Sequence, residues 1–203
     1  HSIVDAGALI IDTPVGRVVH TGDFRIDPNP FYGTKLEGSV FRKAGDEGVL
    51  LLLSDSTNVE RCEHGLSESR VYASFEKLFA AAEGLVVVAM FSSNVARMGQ
   101  VFQIAKKLGK RVAIAGRSMD QNSVYARDLG YLKDANDVLI PTTDIDNYDR
   151  NKVILLSSGS QAEMGSALLR MAVGEHKMVQ LQKRDLVVMS SRYIPGNERA
   201  IGR

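Results

Sequence analysis

With 203 residues and 44% apolar side chains, the chain can bury a real core, which excludes a disordered polymer. Its 25 Lys and Arg nearly balance 24 Asp and Glu, so no global cationic field draws in nucleic acid, and any such contact must be local. The single cysteine, Cys62, excludes an internal disulfide framework and fits the reducing cytoplasm, and no apolar run nears the ~20 residues of a membrane helix.

In chain order, Gly7–Asp12 reads as a strand and Thr13-Pro14-Val15-Gly16 as the turn into a second strand, Arg17–His20, giving an antiparallel hairpin. Residues 25–46 read as a long loop with one short helix near Gly38–Ala44. The apolar run Val49–Ser54 predicts a strand buried on both faces. From Ser67 the rhythm changes. Ser67 caps a predicted helix in which Val71, Phe75, Leu78 and Phe79 share one face. There follow strand Leu85–Met90, helix Val95–Leu108 stopped by Gly109, strand Val112–Ala115 and helix Met119–Leu129 stopped by Gly130. A polar loop (Lys133–Asp149), strand Lys152–Ser157, helix Gln161–Val173 and strand Asp185–Ser190 complete the series. Strands alternating with helices predict an α/β fold with a mostly parallel sheet flanked by helices. A boundary is expected around residues 58–66, separating residues 1–60 from 61–203.

The candidate chemistry lies at strand ends. Asp23 follows the second strand on the turn Thr21-Gly22-Asp23-Phe24, and Asp55 follows the third in Ser54-Asp55-Ser56-Thr57-Asn58. Both sit where ligand sites of layered α/β folds gather, although a lone Asp at such a place is commonly a turn residue. In the second half, strands end in Phe91-Ser92-Ser93-Asn94, Gly116-Arg117-Ser118-Met119, Ser157-Ser158-Gly159-Ser160-Gln161 and Ser190–Glu198. Each is an ordinary capping sequence by itself. Four at corresponding edges of one sheet suit phosphate oxygens. The C-x-H pair Cys62/His64 lacks partners for zinc, and the basic clusters Lys106-Lys107…Lys110-Arg111 and Lys183-Arg184 read as solvated helix ends.

The ordered set His1-Ser2-Ile3-Val4-Asp5, Thr21–Phe24, Ser54–Asn58, Phe91–Asn94, Gly116–Met119 and Ile194-Pro195-Gly196-Asn197-Glu198 resembles ribonuclease J, a branch of the β-CASP metallo-β-lactamase nucleases, over nearly the whole chain. The resemblance implies part of a metallo-β-lactamase domain followed by a β-CASP domain. It also implies His1 as a zinc histidine, Asp23 as the carboxylate bridging two metals, and Asp55 as the acid of the first β-CASP motif. Two Zn²⁺ ions, or Mn²⁺, would serve a complete site. Single-stranded RNA is the implied substrate, cut endonucleolytically and 5′-to-3′, with Ser92, Asn94, Ser118 and Ser160 as contact candidates. The implied parent is a homo-oligomer without a membrane segment.

The family's His-x-His-x-Asp-His signature and its later histidine motifs are not in this sequence; Val4 replaces a usual proline and Ala96 a frequent histidine. The chain therefore reads as a central piece of such an enzyme, inactive alone. The alternative is a non-catalytic α/β module that binds nucleotide or RNA.

Overall fold

A computed structural model describes residues 4–33, 35–57, 59–60 and 67–203. His1, Cys62 and His64 lie outside the described residues. The chain divides into two units, His1–Val71 and Tyr72–Arg203.

In the first unit, the Pro14-Val15 turn folds β1 (Leu9–Thr13) onto β2 (Gly16–His20) as the antiparallel hairpin the sequence predicts. The Thr13 hydroxyl donates to the Gly16 carbonyl at 2.6 Å and closes the turn. Helix α1 (Gly38–Asp46) follows, and β3 (Leu51–Leu53) then adds to β2 in parallel, with His20 opposite Leu53. Arg17 steadies this return by reaching Asp12 and Glu47, each at 2.6 Å. One expectation fails here. Leu51–Leu53 is not buried on both faces, since each of these leucines is 45–59% exposed. An apolar run is wholly buried only if a layer lies on each side of it, and the described residues leave about half of each β3 leucine uncovered.

The second unit is built on β4 (Val86–Ala89), β5 (Arg111–Ala115), β6 (Val153–Ser157) and β7 (Leu186–Met189), arranged β5-β6-β4-β7 with every pair parallel. The two inner strands, β4 and β6, carry continuous apolar runs and are wholly buried. Edge strand β7 alternates in exposure instead. Between the strands run α3 (Val95–Lys107), α4 (Arg117–Asp128), α5 (Ala135–Val138) and α6 (Ala167–Ala172); α2 (Glu68–Ala81) precedes the sheet and α7 (Glu198–Ile201) follows it. The spacing of Val95, Met98, Phe102 and Ala105 predicts one inward face of α3; the last three are buried, whereas Val95, at the first turn, is only partly so.

Three details depart from the sequence reading. Leu78 of α2 is exposed, while Phe75 and Phe79 carry the buried face and stack at 5.1 Å. The expected polar loop 133–149 holds α5 and a 3-10 turn, Thr142–Asn147, which bury Ala135, Val138 and Ile145. The helix expected from Gln161 begins only at Ala167, because Ser166 caps it and residues 159–165 take irregular turns with Gly159, Ala162 and Gly165 at positive φ.

The N-terminal edge of the sheet is held by Asp185, whose side chain is 2% exposed. It accepts from Arg150 Nε at 2.8 Å and Nη2 at 2.5 Å, and from the backbone amides of Leu85 (2.9 Å) and Gln182 (2.8 Å). Burial pushes this carboxyl up, but the hydrogen bonds from Arg150, Gln182 and Leu85, with the guanidinium charge, more than offset it and hold it below its ordinary 3.8. A Cβ at Gly84 would stand 2.7 Å from both the Arg184 carbonyl oxygen and Asp185 Oδ1, so only glycine fits beside this junction. Asp185→Ala should cost about 3 kcal/mol in a urea titration, because it strands a partly buried guanidinium and two amides. Because the folded value is depressed, the Asp185 contribution should be present above about pH 4 and lost as the pH falls through that folded value.

Candidate functional site

In the first unit, the parallel register of β2 and β3 sets two acid-bearing turns side by side. The Thr21 amide donates to the Leu53 carbonyl at 3.0 Å, and the Thr21 hydroxyl accepts from the Asp55 amide at 3.1 Å. Asp55 Oδ1 accepts from the Thr57 amide at 2.8 Å, and Oδ2 lies 3.5 Å from the Phe24 amide. The Thr57 hydroxyl, then the Thr57 and Phe24 amides, hold the Asp55 carboxyl below its usual value. Asp23 is exposed on the same turn. Gly22 precedes it at φ +60, where a Cβ would stand 2.8 Å from the Gly7 carbonyl oxygen. His20 Nδ1 accepts from the Gly22 amide at 3.0 Å, so this histidine shapes the turn. Among the described residues no group of three or more His, Cys, Asp or Glu could hold a metal ion. The two carboxylates suit a hard cation in charge and donor type, but are too few to enclose one.

In the second unit, parallel pairing brings all four polar strand ends to one edge. Strands β4 and β6 are neighbours, yet β4 leads to β5 at one side and β6 to β7 at the other. The connections leaving these two neighbouring strands therefore run in opposite directions, the topology at which open α/β sheets bind ligands.

The edge loops are tied to one another. Asn122 Nδ2 donates to the Ser92 carbonyl at 2.9 Å, and Arg97 Nη1 donates to the Ser190 carbonyl at 2.7 Å. The Ser158 amide donates to Ala115 at 3.2 Å. Gln161, 4% exposed, joins the β6 loop to the β7 loop. Its Nε2 donates to the Arg192 carbonyl (2.8 Å) and Ser191 Oγ (3.2 Å), while its Oε1 accepts from the Ile194 amide (2.7 Å) and Asn197 Nδ2 (3.4 Å).

Of the serine and asparagine candidates, Ser92 is half-buried and Ser118 lies exposed on the first turn of α4. Asn94 is buried and accepts from the Arg97 amide at 3.1 Å as the cap of α3. Ser160 is 2% exposed, and its Oγ has no hydrogen-bond partner among the described residues. Such a group is costly unless water or a ligand meets it.

Residues 83–203 match the family described as Ribonuclease J, beta-CASP domain. The chain belongs to the ribonuclease J β-CASP family. Ribonuclease J of Helicobacter pylori (strain J99) is 41% identical over 203 residues, covering 99% of this chain and 29% of the relative. Ribonuclease J of Mycobacterium tuberculosis is 43% identical over 201 residues, 99% of this chain and 36% of the relative. That of Thermus thermophilus is 39% identical over 203 residues, 100% of this chain and 35% of the relative. The chain thus spans about a third of the length of these relatives.

Within this β-CASP sheet, the residues that sequence reasoning missed are the ties Arg97, Asn122 and Gln161. Only a long polar side chain near a strand end could have hinted at them. The basic cluster at the other end of α3 is occupied locally, with Lys106 on Asp134 and Asp137, Lys107 on Glu76, and Lys110 on the Asn151 carbonyl. Gly116, at φ +123, lets the β5 loop pass Ser158, whose Oγ a Cβ would strike; Gly109, at φ +62, faces open space. Urea unfolding should therefore separate two alanine substitutions. Gly109→Ala should cost about 1 kcal/mol, the price of a left-handed backbone. Gly116→Ala should cost roughly 3 kcal/mol, because strain and collision add.

Proposed function

We propose that this chain is the central part of a ribonuclease J-type enzyme that hydrolyses RNA phosphodiester bonds, both endonucleolytically and from the 5′ end. The observation that carries the reading is the parallel β2–β3 register, which sets the Asp23 and Asp55 turns together at one sheet edge. Family membership and the four tied loops of the β-CASP sheet support it. Asp23, exposed on its turn, offers its carboxylate as a metal ligand, and Asp55 keeps the turn in place by holding the Phe24 amide. His1 adds an imidazole, and residues of the longer protein complete the set. Bound zinc or manganese would supply Lewis acidity and a hydroxide nucleophile at neutral pH.

In this reading single-stranded RNA runs along the C-terminal edge of the β-CASP sheet. Exposed Ser118, half-buried Ser92 and the unpartnered hydroxyl of Ser160 meet backbone oxygens. Asn94 contributes by fixing the start of α3. The working protein is a cytoplasmic homo-oligomer; no helix among the described residues is long and apolar enough to cross a membrane.

The test is cleavage of a 5′-monophosphorylated single-stranded RNA by the full-length protein with zinc or manganese, against an EDTA control. Asp23→Ala should lower turnover at least ~100-fold, the cost of losing even an outer partner of a metal ligand, with the far-UV circular dichroism of the folded protein retained. Near-normal turnover would remove Asp23 from the metal site.

A further inference from the structure

Gln161 is placed unlike the other ties of the sheet edge. Its carboxamide grips the carbonyl of Arg192 and the amide of Ile194, the two peptide groups that flank Tyr193. A buried side chain thus takes the part of a neighbouring strand for one residue, satisfying the backbone on both sides of it. Second bonds to Ser191 Oγ and Asn197 Nδ2 extend the hold along the segment. Gln161 is fixed in turn, since it sits in the tight turn between Gly159 at φ +110 and Ala162 at φ +55. A non-glycine residue at positive φ is retained only where its surroundings over-determine it.

The segment so fixed is not apolar filling. Tyr193 is 60% exposed and Ile194 51%, beside exposed Arg192. They stand on the edge that carries the polar strand ends. A solvent-facing aromatic side chain, on a backbone held at both of its peptide groups, is a surface on which a nucleobase of single-stranded nucleic acid stacks.

We infer that Tyr193 is a base-stacking residue of the RNA path, and that Gln161 is the positioning residue that presents it. This rests on the reading of the chain as part of an RNA-cleaving enzyme. No bond is made or broken. A base leaves water for the ring face, and the fixed backbone spares the ordering cost that a free loop would incur on binding.

The test uses the full-length protein and a fluorescein-labelled single-stranded oligoribonucleotide in EDTA, so that binding is read without cleavage. Tyr193→Leu should weaken binding about tenfold, within the range measured for base–aromatic stacking, while Tyr193→Phe should keep it. Gln161→Leu should give a similar loss through a displaced ring, and adding it to Tyr193→Leu should cost little more, because both changes remove one contact. Amide exchange at Ile194 should be faster in Gln161→Leu and unchanged in Tyr193→Leu. The inference is overturned if Tyr193→Leu binds as tightly as the unaltered protein. It is overturned for Gln161 if the two losses simply multiply or Ile194 exchange does not change. Failure of the unaltered protein to bind the oligonucleotide would instead overturn the nuclease reading, and this inference with it.

Discussion

Parallel pairing is the constraint on which the rest of this structure depends. In the second unit every strand runs the same way, so every strand end arrives at one edge and every strand start at the other. The two edges have separate physics. At the starts, Asp185 is buried with Arg150 and two backbone amides, and its charge is balanced within a few ångströms. A buried carboxylate is tolerable only when so satisfied, and this one stabilises the joint between β4 and β7. At the ends, loops of serine, glycine and asparagine are tied by single side chains, and one hydroxyl, that of Ser160, is left over.

The same rule shapes the first unit. Had β3 paired with β2 in the opposite sense, Asp55 would lie at the far end of the sheet from Asp23. The parallel register instead brings Thr21 within reach of both Leu53 and Asp55, so the two acidic turns share hydrogen bonds. Gly22 permits the sharp exit that places Asp23 on the surface.

Much of this was legible in the sequence. The apolar runs of β4 and β6, the glycine stops after α3 and α4, and the Thr-Pro-Val-Gly turn each carry a local signal, and each forms as expected. Capping by Asn94 was legible too, for that is what asparagine does at a helix start. What could not be read depends on neighbours distant in sequence. The leucines of β3 carry the pattern of a buried strand, but burial belongs to the layers that meet them, and about half of each of these side chains stays exposed. Residues 133–149 look polar because single apolar side chains, Ala135, Val138 and Ile145, are spaced among charged ones. Gln161 has the appearance of a helix start, and only the fold shows that its partners lie 30 or more residues away. In the first unit the strand-end positions of Asp23 and Asp55 could be read from the sequence, whereas in the second unit the ties made by Arg97, Asn122 and Gln161 could not.

We propose that the RNA runs along the C-terminal edge of the β-CASP sheet. The most direct measurement is photo-crosslinking of a 4-thiouridine-substituted single-stranded RNA to the full-length protein, with the modified peptides identified by mass spectrometry. Adducts are expected within residues 91–94, 116–119, 157–161 and 190–197, suppressed by excess unmodified RNA. Adducts concentrated at the opposite edge, around residues 83–85, 108–111, 150–153 and 184–186, would contradict it.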